Sequence, residues 1–173
     1  NPVEKSFSPV LQNTIAEELG VNAVYVPFKV EKGCVKTAVE GGRALGVKGF
    51  NVTVPHKIEV MDSLCRIDAA AEKIGAVNTL KLTDEGYAGY NTDIIGLGKC
   101  LESRKISVKN STVVLAGAGG AANSAAILAG EKGASKLIIV NRTAEKAEKL
   151  AERVRKYYSL TVEVTDYENL MEI

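Results

Sequence analysis

The chain has 173 residues, enough for one large domain or two small ones. Its 46% apolar and 25% charged residues are ordinary for a globular protein, and a net charge of +1 offers no basic surface to nucleic acid or an acidic membrane. Trp is absent and aromatics are 5%, which argues against base stacking as the main business of the fold.

Ser8-Pro9 predicts a helix start, with Ser8 as cap and Pro9 at the first helical position. Leu11, Ile15 and Leu19 recur at helical spacing up to Gly20. Asn22 to Val30 is rich in β-formers and predicts a strand, placed at an edge or an end by Pro27. Residues 33–45 predict a helix stopping near Gly46, and Gly49 to Val54 a short strand closed by Pro55. Two short helices are predicted over 57–64 and 67–73. Ala76 to Leu82 and Tyr87 to Tyr90 predict two strands around a hairpin turn at Thr83 to Gly86. A helix follows from Ile94 to Arg104.

The second half has a different rhythm. Thr112 to Ala116 is an apolar strand, followed by a glycine-rich loop and a helix reaching about Lys132. Lys136 to Val140 is a second buried strand, 143–157 a charged amphipathic helix, and Leu160 to Val164 a third strand. This β-α-β-α-β order is the half unit of a doubly wound parallel sheet. The fold class expected is therefore α/β: an N-terminal α/β domain over 1–93, a linking helix and connector over 94–110, and a partial Rossmann-type unit over 111–173. Cys34, Cys65 and Cys100 are odd in number and far apart, so no disulfide or metal framework is expected. Reduced thiols, with no visible signal peptide or membrane-length apolar run, suit the cytoplasm.

The loop Gly117-Ala118-Gly119-Gly120-Ala121-Ala122 fits the dinucleotide fingerprint G-x-G-x-x-A between a strand and a helix. Gly117 permits the tight turn, Gly119 admits the pyrophosphate, and Ala122 lets the helix pack on the strand. The helix N-terminus offers free N–H groups and a positive dipole end. After the second strand comes Asn141-Arg142-Thr143, where an NAD site usually carries a carboxylate. Arg142 offers a fork of donors to a 2′-phosphate and Lys146 a second positive charge one turn on, so NADP is preferred to NAD.

Asn51-Val-Thr53-Val-Pro55-His56-Lys57 places a lysine beyond a proline-stiffened turn at a strand end. Gly75-Ala-Val-Asn78-Thr79 supplies an amide and Asn91-Thr92-Asp93 a carboxylate at a helix start. A Lys–Asp pair with an amide nearby suits a polyhydroxylated ring and the transfer of one proton. Taken singly, each of these residues has an ordinary structural use. His56, the only histidine, has no partner of its kind and reads as a spacer.

Ser6-x-Ser8-Pro9, Asn51-Val-Thr53-Val-Pro55-x-Lys57, Gly75-Ala-Val-Asn78-Thr79, Asn91-Thr92-Asp93, Gly117-Ala-Gly-Gly-Ala121 and Asn141-Arg142-Thr143 occur in that order. The series resembles the shikimate dehydrogenase family along essentially the whole chain. The resemblance implies reversible reduction of 3-dehydroshikimate to shikimate by NADPH, in the pathway to chorismate and the aromatic amino acids. It implies that Lys57 is the proton donor, paired with Asp93, which also binds a ring hydroxyl. It implies that Ser6 and Ser8 receive the substrate carboxylate, and that Thr53 and Asn78 hold ring hydroxyls. Gly117, Ala118, Gly119, Gly120, Ala121, Asn141, Arg142, Thr143 and Lys146 are the implied cofactor contacts, and no metal is implied.

The sequence departs from the family pattern at Lys5, where His is common, at Ile94-Ile95-Gly96, where a glycine comes sooner, and at Asn123, where a basic residue is common. The resemblance also places a first strand before Asn1 and the nicotinamide half of the cofactor fold after Ile173, so the 173-residue chain alone is expected to show little or no turnover. Two alternatives stay open: a quinate/shikimate enzyme accepting NAD, and a non-catalytic cofactor-binding relative. The sequence leaves open whether the protein is a homodimer.

Overall fold

The computed structural model describes residues 3–169. The first sheet has four strands, β1 (Gly49–Asn51), β2 (Arg66–Ile67), β3 (Thr79–Thr83) and β4 (Gly86–Tyr90), in the order β1-β3-β4-β2. β3 and β4 form the predicted hairpin, with Thr83 opposite Gly86. Gly86 has φ 144°, a conformation that a side chain would strain. β1 runs antiparallel to β3, and β2 parallel to β4.

Helices α1 (Ser8–Glu18), α2 (Val35–Ala44) and α3 (Ala69–Ile74) accompany this sheet. Val35 and Val39, one turn apart on α2, are buried with Val60, Ala71, Val77, Leu80 and Tyr87. α3 begins where Asp68, in extended backbone, accepts a hydrogen bond from Ala70 N–H at 3.0 Å. It ends at Gly75, in left-handed backbone.

Four expectations need correction here. Residues 22–30 join no strand ladder among the described residues. The Asn13 side chain takes the place of a neighbouring strand, accepting from Tyr25 N–H at 2.7 Å and donating to the Tyr25 carbonyl at 2.9 Å. Extended propensity does not make a strand without a partner, and Pro27 removes one donor. The predicted helix over 67–73 starts two residues late, because Arg66 and Ile67 pair with Ala88 and Gly89. The helix over 57–64 is reduced to a short 3-10 turn, Glu59–Ser63. Phe7, not Ser8, caps α1, and the Ser6 hydroxyl accepts from Ser8 N–H at 3.2 Å. The Leu11, Ile15 and Leu19 stripe of α1 is exposed; no described element covers it.

The second sheet contains β5 (Thr112–Ala116), β6 (Lys136–Val140) and β7 (Thr161–Thr165), all parallel, in the order β5-β6-β7. α5 (Gly120–Glu131) and α6 (Ala144–Tyr157) make the crossovers. Leu137, Ile138, Ile139 and Val140 of the central strand are fully buried, as an unbroken apolar run predicts. α6 turns Ala147, Leu150, Ala151 and Val154 inward.

α4 (Asp93–Ser103) links the two sheets and packs on α5. The join is apolar as well as polar. Ile74 and Ala76 belong to the same buried cluster as Ile127, Leu137, Leu150 and Val154. Lys73 pairs with Glu131 at 3.4 Å, and Arg153 donates to the Glu72 carbonyl. No helix among the described residues is long and apolar enough to cross a membrane.

Candidate active site

Lys57 leaves a turn closed by His56 N–H donating to the Thr53 carbonyl at 2.9 Å. Its own carbonyl accepts from Val77 N–H at 2.7 Å, so the backbone is fixed against the approach to β3. The side chain is 14% exposed, and Nζ donates to Asp93 Oδ2 at 2.5 Å. A charge pair this sheltered is screened less than a surface pair.

Asp93 opens α4, where the positive end of the helix dipole favours a carboxylate. Asn78 holds it: Nδ2 donates to Asp93 Oδ1 and to Thr92 Oγ1, both at 2.9 Å. Asn78 Oδ1 accepts from Thr92 N–H at 3.0 Å and from the Thr79 hydroxyl at 2.9 Å. These contacts fix the direction in which the amide points. Lys57, Asp93 and Asn78, from three separate stretches of sequence, therefore form one bonded group.

Two buried residues to which the sequence assigned no role of their own support this group. Asn91 is 5% exposed and Oδ1 accepts from Asp93 N–H at 2.9 Å, while its amide donates to the Ala76 carbonyl. The Ser124 hydroxyl, 1% exposed on α5, donates to Asn91 Oδ1 at 3.3 Å. An Asn two residues before a helix-opening Asp is the local signal that finds Asn91. Ser124 has no local signal, since only the packing of α5 brings it to Asn91.

Among the described residues, Ser6 and Thr53 make no side-chain hydrogen bond to the charged pair. They line a cavity of about 410 Å³ with Asn51 and His56, walled mainly by Val24, Val26, Phe28 and Phe50. Lys57, Asp93, Asn78 and Ser8 are not on its wall. Among the described residues, Ser8 joins Ser6 through its N–H, which donates to the Ser6 hydroxyl. His56 Nε2 lies 2.9 Å from the Val30 carbonyl, tying residues 22–30 to the lysine turn.

The glycine loop leaves β5 at Gly117, which has φ 116° and donates its N–H to the Val140 carbonyl at 2.7 Å. A Cβ built at Gly117 or Gly119 meets no protein atom within 4 Å, so the outer side of the loop is open. Gly119 caps α5 without a side-chain bond, leaving first-turn N–H groups for a ligand. Ala118 is buried in the core, and Gly120 and Ala121 are the first residues of α5. Ala116 pairs with Val140 in the sheet, so Asn141, Arg142 and Thr143 leave the same edge as the glycine loop. Asn141 Nδ2 donates to the Thr143 carbonyl at 2.8 Å, and Thr143 makes no side-chain cap to α6. Arg142 and Lys146 are exposed, and the Arg142 guanidinium has no hydrogen-bond or ion-pair partner among the described residues. An open glycine face, an uncapped helix start and a free guanidinium fit a phosphorylated dinucleotide.

Residues 1–80 match the profile of the shikimate dehydrogenase substrate binding domain, and residues 92–173 match that of shikimate / quinate 5-dehydrogenase. The chain belongs to the shikimate dehydrogenase family.

Among relatives of this family member is the shikimate dehydrogenase (NADP(+)) of Methanocaldococcus jannaschii, 47% identical over 154 residues. That match covers 89% of this chain and 54% of the relative. A crystal structure of shikimate dehydrogenase in complex with NADP+ superposes with a TM-score of 0.84 at 43% identity, over 95% of this chain and 58% of that one. The ligand-free 5-ketofructose reductase of Gluconobacter sp. strain CHM43 superposes with a TM-score of 0.79 at 32% identity, over 96% and 60%. The chain spans about half the length of the first curated relatives it matches. The family and fold class read from the six motifs are thus the ones the comparisons return, and the structural neighbours carry the same α/β architecture.

Proposed function

We propose that the protein is an NADP-dependent shikimate dehydrogenase, reversibly reducing 3-dehydroshikimate to shikimate. The observation that carries this reading is the Lys57–Asp93 contact of 2.5 Å, held by Asn78 beside the start of the glycine-loop helix. Residues 1–93 serve the substrate, 94–110 connect, and 111–173 serve the cofactor. Exposed, unpaired cysteines suit work in the cytoplasm.

In this reading Lys57 gives a proton from Nζ to the carbonyl oxygen and takes one back in the reverse direction. Asp93 holds the ammonium in place and accepts a hydrogen bond from the neighbouring ring hydroxyl. The Asn78 amide donors are committed to Asp93 and Thr92, and its oxygen accepts from Thr92 N–H and the Thr79 hydroxyl, so its first task is to aim the carboxylate, and it meets a ring hydroxyl by exchanging one of these side-chain bonds. Thr53 offers a hydroxyl to the ring, and Ser6 and Ser8 offer theirs to the substrate carboxylate. The backbone of Gly117, Ala118, Gly119, Gly120 and Ala121 would hold the pyrophosphate. Asn141, Arg142, Thr143 and Lys146 would hold the 2′-phosphorylated ribose. NADPH, when bound, supplies the hydride.

The test is shikimate oxidation by the full-length protein, followed by NADPH absorbance. NADP-dependent turnover is expected, and Lys57→Ala is expected to lower kcat by about 10²- to 10⁴-fold with NADP binding retained. Turnover kept in Lys57→Ala would remove the lysine from the reaction. The likeness to a 5-ketofructose reductase favours one further reading, another hydroxylated ketone as substrate. Running 5-ketofructose and quinate beside shikimate separates the readings.

A further inference from the structure

The three glycines of the loop do not have equivalent surroundings. A Cβ at Gly117 or Gly119 enters space free of protein atoms within 4 Å. A Cβ at Gly120 would lie 2.9 Å from Lys57 Cβ, 3.0 Å from its Cδ and 3.4 Å from its Cγ. The first turn of α5 is therefore in contact with the aliphatic stem of the lysine along most of its length.

The stem has little room to yield. Lys57 Cβ is set by a backbone whose carbonyl is bound by Val77 N–H, and Nζ is bound by Asp93. A methyl group at position 120 forces the stem to turn about its first torsions, which carries Nζ away from Asp93 Oδ2. One turn further along α5, Ser124 reaches Asn91, which binds the Asp93 backbone N–H. The same helix thus meets the lysine directly and the carboxylate through Asn91.

We propose that Gly120 is a positioning residue for Lys57: it is a glycine because the stem of the proton-donating lysine lies against it, whereas Gly117 is a glycine for the positive φ of its turn and Gly119 for the approach of the cofactor. This rests on the reading of Lys57 as the proton donor. The backbone at Gly120 is ordinary helix, and an alanine there keeps its N–H for phosphate, so its effect falls on the lysine.

The experiment compares Gly120→Ala with Gly119→Ala in the full-length protein. Gly120→Ala is expected to lower kcat for shikimate oxidation by about 10-fold or more while the KM for NADP stays within about threefold. Gly119→Ala is expected to do the reverse, raising the KM for NADP more than it lowers kcat. A second readout needs no turnover: pulse acetylation of lysines, quantified by mass spectrometry on the protein without substrate. Lys57 is expected to react faster in Gly120→Ala than in wild type, because the amine has left its carboxylate, and at the wild-type rate in Gly119→Ala. Wild-type Lys57 reactivity in Gly120→Ala overturns the proposal whatever happens to kcat. So does a raised KM for NADP with kcat intact. Absence of shikimate turnover in wild type would sink the enzyme reading alone, since the acetylation comparison still decides the seating. Alanine favours helix over glycine, and Gly120→Ser carries the same Cβ should the alanine variant express poorly.

Discussion

Asn78 is the side chain on which the charged pair depends most. It is 9% exposed and bridges Asp93 and the Thr92 backbone from one amide. Removing it deprives an Asp93 carboxylate oxygen and the Thr92 backbone N–H of their partner. Asn78→Ala is expected to lower the urea midpoint and to reduce kcat by about 10- to 100-fold, because Asp93 loses its aim. A wild-type kcat in this variant would assign Asn78 to stability alone. Lys57, Asp93 and Asn78 were each legible as a motif residue. Their mutual contacts were not, because 36 residues separate Lys57 from Asp93 in sequence and 15 separate Asn78 from Asp93.

At the level of elements, the parallel strands end together and so bring two loops to one edge. β5 delivers the glycine loop and β6 delivers Arg142, because Ala116 and Val140 are paired neighbours. The guanidinium is exposed and free of partners among the described residues, so it is available to a 2′-phosphate. Arg142→Ala is expected to raise the KM for NADP by about 10- to 100-fold, the worth of a charge-assisted hydrogen bond, and to leave the KM for NAD nearly unchanged. Equal losses with both cofactors would place Arg142 away from the 2′ position. α5 also serves two neighbours, offering free N–H groups at its start and setting Gly120 against Lys57 and Ser124 against Asn91.

Across the whole molecule, each core contains a tyrosine that resists ionisation. Tyr87 lies in the first, with its hydroxyl donating to the Val47 carbonyl at 2.6 Å, and burial pushes its pKa above the usual 10.0. Tyr158 packs on the second, and burial raises its pKa too, outweighing the Lys73 ammonium 4.5 Å over the ring. A phenol whose folded pKa is raised holds its proton longer than in the unfolded chain. The associated stability is complete below about pH 10 and is lost as pH rises through the folded value. Urea midpoints are therefore expected to hold between pH 8 and pH 9 and to fall above about pH 10, with Tyr87→Phe flattening part of that fall. A stability that does not change into strong alkali would mean that neither phenol is protected.

The sequence alone determined the β-α-β-α-β order, the glycine loop, the hairpin at Thr83–Gly86 and the families of side chains at the site. These rest on local physics: apolar runs of strand length, glycines where the backbone turns, and helical spacing of Ala147, Leu150 and Val154. Six ordered motifs then indicated a family, which the comparisons return. Tertiary structure decided what depends on a distant partner. Residues 22–30 have strand-forming composition and no described strand beside them, while Arg66 and Ile67 form a strand because β4 lies alongside. It also decided that Gly120 faces a lysine where Gly117 and Gly119 face open space. Strand pairing and close packing are contacts between residues far apart in the chain, and no local propensity encodes which surface will arrive opposite.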